Sequence, residues 1–294
     1  MLSNLAKRVL FAVVAIPLFI YVLYSGGLLL HIVILILSSL GLHEYFSMIH
    51  RSGSRIFSAP AYFFNFLIIL VNYLSVSGII HLNTTEFLLI MSLVFIFNMG
   101  SAAVMHLFFG SKEHITNEVG MMTHGLQYIS IGFISILLIP ELVAEAYPVN
   151  PPVNPNLLSI IVFAAIWASD TFAYFVGRKF GKHKLLESIS PNKTVEGFVG
   201  GILGSAIVFS LPCILLLENC SILALSTLII LGIVIGLIGT IGDLVESSLK
   251  RHAGVKDSSN LIPGHGGILD RFDSALFVFP TMFIFLELWV IIAL

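Results

Sequence analysis

Charge is scarce in this chain. Lysine, arginine, aspartate and glutamate make up 10% of its 294 residues, against about 25% in soluble domains. Hydrophobic residues make up 57% and the mean hydropathy is +1.03. That balance leaves no polar surface to face water and excludes a soluble globular domain. Cysteine is nearly absent. Cys213 and Cys220 lack metal or redox spacing, and nothing here identifies a disulfide. No repeat of 20–50 residues is visible, which argues against a solenoid. No small-x-small cleavage site cleanly follows the first apolar run. That run also exceeds the roughly 7–15 residues of a signal h-region, so a retained span is expected.

What is present is grease in span-length pieces. Nine stretches approach the ~20 apolar residues that a membrane helix needs. They cover residues 9–24, 28–48, 59–80, 87–109, 123–139, 157–175, 197–217, 222–241 and 275–294. The expected fold class is therefore all-α, a polytopic membrane protein with about nine transmembrane helices. With nine spans, all 14 Lys and Arg residues fall on one side. The positive-inside rule then places the N-terminus in the cytoplasm and the C-terminus outside. The first five spans (residues 1–140) read as scaffold, with His43-Glu44-Tyr45 as their main polar exception. The two longest cytoplasmic connections, 177–196 and 242–274, are also the richest in charge. They place the chemistry in a C-terminal region, 157–294, on the cytoplasmic face.

Between Asp243 and Asp273 lie four basic and five acidic residues around two glycine-rich turns. Charge of both signs beside apolar segments is costly, and so is a functional candidate. Asp243, Glu246, Ser247 and Lys250 are spaced to share one helix face. Gly232, Gly236, Gly239 and Gly242 precede them, a small-residue seam for close helix packing. Asp270 and Asp273 are three apart and, if helical, can share one hard cation; Asp273 also suits a helix start. Pro263 stops any preceding helix. Gly264-His265-Gly266-Gly267 is then either a plain turn or a loop whose N–H groups meet a phosphate. Carboxylates for a metal, cations for phosphates and glycines for close approach together indicate metal-assisted chemistry on a phosphorylated substrate at a membrane surface.

A second cluster begins at Asp170, an acid inside an apolar span with Tyr174 one turn on. It serves either function or a hydrogen bond to a neighbouring helix. Ser190-Pro191-Asn192-Lys193-Thr194-Val195-Glu196-Gly197 follows. Thr194 is placed to cap the next span, and a capped helix start is also an anion site. Lys179, Lys182 and Lys184 read as orienting charges for anionic lipid heads.

Residues 247–273 resemble the signature of the phosphatidate cytidylyltransferases, also called CDP-diacylglycerol synthases. The resemblance rests on Ser247, Lys250, Arg251, Lys256, Asp257, Pro263, His265, Gly266, Gly267, Asp270, Arg271 and Asp273 at the family's spacing without a gap. The segment from Asp170 to Gly177 and the Ser190–Gly197 motif also resemble family motifs, in the right order. Asn192 stands where the family commonly has lysine. The likeness covers roughly the last 130 residues. It implies transfer of the cytidylyl group of CTP to phosphatidate, giving CDP-diacylglycerol and pyrophosphate, with Mg2+ required and room for a second cation.

On this resemblance the metal ligands are Asp243, Asp270 and Asp273. Lys250, Arg251, Lys256, His265, Arg271 and Asp170 are the catalytic candidates. Ser190, Lys193, Thr194, Gly266, Gly267 and Tyr174 are the substrate-binding ones. The expected partners are CTP, phosphatidate and membrane lipid, not nucleic acid; self-association is left open. The expected location is a bacterial inner membrane with the site facing the cytoplasm. A transporter would show inverted repeats and midplane-broken helices, which are not seen. A CDP-alcohol phosphatidyltransferase would carry an Asp-x-x-Asp-Gly…Ala-Arg pattern, also not seen. A polyprenol kinase would share the metal logic and stays open on physical grounds alone.

Overall fold

Nine apolar stretches demand elements whose backbone groups are all satisfied internally, and in lipid that means helices. A computed structural model describes residues 4–51, 53, 54, 56–110, 115–146, 154–216, 222–262, 264 and 266–293. The elements are α1 (Asn4–Ser25), α2 (Gly27–Arg51), α3 (Ala59–Val76), α4 (Thr84–Phe109), α5 (Ile115–Ala146), α6 (Leu157–Phe180), β1 (Lys184–Leu186), β2 (Ser190–Thr194), α7 (Val195–Leu216), α8 (Ile222–His252), α9 (Leu269–Phe272) and α10 (Ala275–Ala293).

Each expected stretch lies on one of these helices, with different ends. Among the described residues, seven of the helices are long and apolar enough to cross a membrane, and the apolar parts of α1 and α10 are shorter. The chain is an all-α polytopic membrane protein. Large side chains face outward, among them Leu89, Phe97 and Leu107 at 61%, 64% and 72% exposure. That surface suits lipid rather than water.

The helix ends differ from the sequence expectation for a physical reason. Apolar runs are limited by the bilayer, whereas a helix continues while its backbone hydrogen bonds do. Thus α5 starts eight residues before the expected 123, and α8 runs eleven past the expected 241 to His252. The connection 177–196 is partly ordered as an antiparallel hairpin that pairs Lys184 with Thr194 and Leu186 with Ser190. The 147–155 spacer falls mostly outside the described residues, as do Arg55, Lys112 and Cys220.

The chain forms two compact units. The first joins Met1–Leu137 to Leu249–Arg271. Ile34, Leu42, Leu126, Ile129 and Phe133 are wholly buried in its core. A polar thread crosses that core: Asn65 Nδ2 donates to Ser38 Oγ at 2.9 Å, and Ser130 Oγ donates to Asn65 Oδ1 at 2.7 Å. Such bonds join α2, α3 and α5 where apolar driving force between helices is weak. Leu269 packs here too. A Cβ added at Gly41 would meet Ile129 at 3.2 Å and Leu269 at 3.3 Å. So residues 249–271, read from the sequence as part of the C-terminal region, group with the N-terminal helices.

The second unit joins Leu138–Ser248 to Phe272–Leu294. Phe163 anchors it, with its ring 4.7 Å from that of Phe279 and edge-on to Phe272 at 6.1 Å. The expected glycine seam on α8 is real. A Cβ at Gly232 would lie 2.6 Å from Ala206 Cα on α7, and one at Gly242 would lie 2.7 Å from the Asp273 carbonyl oxygen. Neither backbone could approach so closely past a side chain.

Candidate active site

In the second unit, acidic residues converge near the ends of the helices. Asp170 lies on α6, Asp243 and Glu246 on α8, and Asp273 in the turn before α10. Glu246 is completely buried. Asp243 Oδ2 is ion-paired to Lys193 Nζ of the hairpin at 2.5 Å, and its Oδ1 accepts from Ser247 Oγ at 3.3 Å. The i,i+4 face expected for Asp243 and Ser247 is therefore present, but Asp243's cation is Lys193 rather than Lys250.

Asp273 accepts the Ser274 N–H at 2.6 Å. This is an adjacent-residue bond, not a cap reaching the second or third helical N–H. Although Asp273 keeps some exposed surface, burial holds its carboxyl well above the usual carboxylate range, and the Asp243, Glu246 and Asp170 carboxylates push the same way. Like charges within electrostatic reach oppose a further ionisation.

Thr194 caps α7 as its position suggested, its Oγ1 accepting the Gly197 N–H at 3.1 Å. Glu196 has a role that the sequence did not reveal. It accepts the Lys182 N–H at 3.0 Å, the His183 N–H at 3.3 Å and His183 Nδ1–H at 2.6 Å. That ties the hairpin's entry to the start of α7 and so positions Lys193. Tyr174 is exposed, and its hydroxyl accepts from Arg178 Nη1 at 3.2 Å, one helical turn on. Ser190 is the first residue of β2 and partly exposed.

In the first unit the signature segment folds on itself. Lys250 Nζ meets Asp270 Oδ1 at 2.6 Å, with side chains only 11% and 5% exposed. Asp270 Oδ2 accepts three donors at 2.8 Å each: the Ser258 N–H, the Ser258 hydroxyl and the Gly267 N–H. Burial is the largest single influence on this carboxyl and raises it. The Lys250 ammonium and the Gly267 and Ser258 N–H groups outweigh it, and the net shift is downward. Gly264 and Gly266 have φ of +78° and +81° around an Ile262 N–H to Gly266 carbonyl bond of 2.8 Å, the tight turn for which glycine is suited. The Gly267 N–H, a candidate phosphate donor, is given to Asp270 in this structure. Arg251 Nη1 donates to the Val255 carbonyl at 3.0 Å, while Lys256 and Arg271 are exposed. Pro263 and His265 lie outside the described residues.

One residue of this cluster comes from far away in sequence. Glu44 on α2 is 2% exposed. Its Oε1 accepts Ser259 Oγ–H at 2.7 Å and the Ile268 N–H at 2.9 Å; its Oε2 accepts Ser258 Oγ–H and the Leu269 N–H, both at 2.9 Å. The single Ser258 hydroxyl proton thus serves either Glu44 or Asp270. A Cβ at Gly267 would collide with Ser258 Oγ and both Glu44 oxygens, which makes glycine obligatory there. The signal was an acid within an apolar span.

Among the described residues, no three His, Cys, Asp or Glu side chains are arranged to hold a metal ion between them. The donor set is nevertheless hard oxygen, and Mg2+ takes one or two protein carboxylates and leaves the other positions to water and phosphate. Asp273 fits that demand, since the carboxylates around it crowd negative charge, and Asp243 is one of those carboxylates.

The sequence is similar to those of known proteins. Residues 6–289 match the model of the family described as Cytidylyltransferase family. The chain is 37% identical over 282 residues to a phosphatidate cytidylyltransferase of Staphylococcus saprophyticus, covering 95% of this chain and 98% of that protein. A protein of the same name from Bacillus subtilis is 44% identical over 175 residues, 59% of this chain and 60% of its own. The Staphylococcus haemolyticus one is 50% identical over 127 residues, 43% and 48% of the two chains. A match that runs almost end to end, through the scaffold helices as well as the signature, means that the chain belongs to the cytidylyltransferase family.

Proposed function

We propose that this chain transfers the cytidylyl group of CTP to phosphatidate. The observation that carries the site assignment is a repeated pairing. In each unit, a lysine suited to hold phosphate is ion-paired to a carboxylate: Lys193 with Asp243, and Lys250 with Asp270. Without substrate, each pair is neutral. A phosphate group competes for such a lysine, and the released carboxylate becomes available to a cation.

The phosphatidate phosphate oxygen attacks the α-phosphorus of CTP. A new P–O bond forms, the bond from the α-phosphorus to the bridging oxygen breaks, and pyrophosphate leaves with the bonding pair. The nucleophile is already an anion, so no strong base is needed. The barrier lies in bringing two polyanions together, and basic side chains offset it. Lys193, Lys250, Arg251, Lys256 and Arg271 hold phosphate oxygens. His265 donates to one of them. Ser190 and the capped start of α7 at Thr194 close the nucleotide side, with Asp170 and Tyr174 behind them. Gly266 and Gly267 contribute by having no side chain. Asp243 and Asp273 would hold Mg2+, which supplies charge compensation for the triphosphate and the leaving pyrophosphate. Asp270 is a ligand only on giving up Lys250.

The nine-span count, with the N-terminus cytoplasmic and the C-terminus outside, is part of the same proposal. It is supported by the helices that the described residues form on each of the nine stretches, seven of them of spanning length, and by the one-sided Lys and Arg distribution. Placement in a bacterial inner membrane with a cytoplasm-facing site follows that orientation and the bacterial sources of the relatives.

The test uses purified chain in detergent with phosphatidate, Mg2+ and CTP labelled at either the α- or the γ-phosphate. Label from the α-position should become lipid-soluble, and label from the γ-position should appear in pyrophosphate. Lipid-soluble γ-label would mean a kinase and would overturn the proposal.

A further inference from the structure

We infer that Glu44, on a helix of the N-terminal scaffold, is a positioning residue for the reaction: its carboxylate fixes the geometry of loop 258–270 and, through Ser258, the orientation of Asp270. The inference rests on the reading of that loop as part of the cytidylyltransferase site.

Its basis is the donor arithmetic at one buried side chain. A carboxylate only accepts, and its two oxygens offer about four lone-pair positions. Glu44 faces four donors, one hydroxyl and one backbone N–H on each oxygen, and shares the Ser258 hydroxyl proton with Asp270. Among the described residues none of these donors is a cation, so the charge is held by fixed dipoles of the loop itself. Burying a charge this way is costly unless the donors stay in place. Glu44 and the loop are therefore mutually dependent. The Ile268 and Leu269 N–H groups open α9, the turn that carries Asp270 and Arg271. Ser258 links Glu44 to Asp270, its hydroxyl toward Glu44 and its backbone N–H to Asp270, and Asp270 in turn holds Lys250. Glu44 thus sets one end of a chain that runs Glu44–Ser258–Asp270–Lys250.

The amide isostere separates acceptor chemistry from volume. In Glu44→Gln one oxygen becomes NH2. Whichever way the amide is turned, a donor then faces a backbone N–H that cannot rotate away. Glu44→Asp keeps an acceptor-only group but withdraws it by one methylene.

The experiment compares wild type, E44D and E44Q in two measurements. The first is amide hydrogen exchange by mass spectrometry, which needs no substrate and reports local opening. E44Q should exchange at least ~10-fold faster in peptides covering 258–272, with protection of α2 through α5 unchanged. The second is label transfer with CTP varied. E44Q should raise the KM for CTP at least ~5-fold and lower kcat ~10-fold or more, since a displacement near 1 Å costs about 100-fold in well-ordered sites. E44D should fall between the two.

Wild-type exchange and wild-type KM in E44Q would overturn the inference. So would faster exchange through all the helices together with an unchanged KM, which means a structural role only. An E44D no better than E44Q would also overturn it, because length rather than acceptor character would then be decisive. If the wild type itself transfers no label while the exchange result holds, the functional reading fails and the anchoring of the loop stands.

Discussion

The two aspartates of the Asp270-Arg271-Phe272-Asp273 turn should respond in opposite ways to the same substitution. Asp270 is a satisfied anion: one oxygen holds Lys250 at 2.6 Å and the other accepts three donors at 2.8 Å. In Asp270→Asn the amide must point its NH2 at either the ammonium or two backbone N–H groups. Removing one partner of a buried pair costs ~3–5 kcal/mol. Lys250 is 11% exposed and can turn partly to water, so about 2–3 kcal/mol is the better figure here. At about 2–4 °C per kcal/mol for a chain of this size, D270N should melt ~5–10 °C lower.

Asp273 is the reverse case. Burial, then Asp243, Glu246 and Asp170, oppose its ionisation. Its folded value lies above the unfolded one, so its ionisation destabilises the fold above the folded value. That effect fades as pH falls through the folded value toward the unfolded one. D273N removes the effect and should melt at or above the wild-type temperature at high pH, with the difference shrinking on acidification. Both variants should lose at least ~100-fold in label transfer, as removal of a key electrostatic group typically does. The assay is a melting series in detergent across pH, paired with turnover at saturating Mg2+. A D273N as destabilised as D270N would refute the charge-crowding argument, and near-wild-type turnover in both would refute the metal and phosphate roles.

A reporter fused after Leu294 should read as external and one inserted near Gly254 as cytoplasmic; a cytoplasmic C-terminal reporter would break the nine-span orientation. Arg271→Ala should nearly abolish turnover. Lys182→Ala with Lys184→Ala should cost under ~10-fold and fade at high salt, because flanking lysines act through a screened field of about 1 kcal/mol each. Lys184 also donates to the Pro191 carbonyl across the hairpin, so equal inactivity of the two variants would move the centre to that hairpin. Thr194→Ala removes the α7 cap and should cost about 1 kcal/mol, read as a lowered melting temperature; an unchanged melting temperature would mean that the cap bond adds nothing.

Local rules carried much of the molecule. Hydropathy located the helices, the spacing of Gly232, Gly236, Gly239 and Gly242 located a packing seam, and Thr194 was legible as a cap because capping is a three-residue relation. The partners of the charges were not legible in the same way. Lys250 lies seven residues from Asp243 and twenty from Asp270, yet it pairs with the farther one. Helical spacing puts Asp243 and Lys250 on one face, but α8 ends at His252 and the chain then turns back through Gly254 at φ +68°. The turn brings residues 258–270 to the end of the helix, where spacing rules no longer apply.

Glu44 shows the limit most sharply. A lone acid in a greasy helix announces that something must satisfy it, but it does not say what. Its four donors lie 214 to 225 residues downstream, and no periodicity connects them. Two features of the downstream loop become intelligible only once Glu44 is in place. Gly267 is glycine because Ser258 and Glu44 occupy the space of its Cβ. Consecutive Ser258 and Ser259 are hydroxyl residues because they face different oxygens of the same carboxylate, Ser259 donating to one and Ser258 sharing its proton between the other and Asp270. The polar signature and the apolar scaffold are therefore not separable as catalyst and wall. The first five spans supply the acceptor without which the loop's N–H groups would be buried and unpaired.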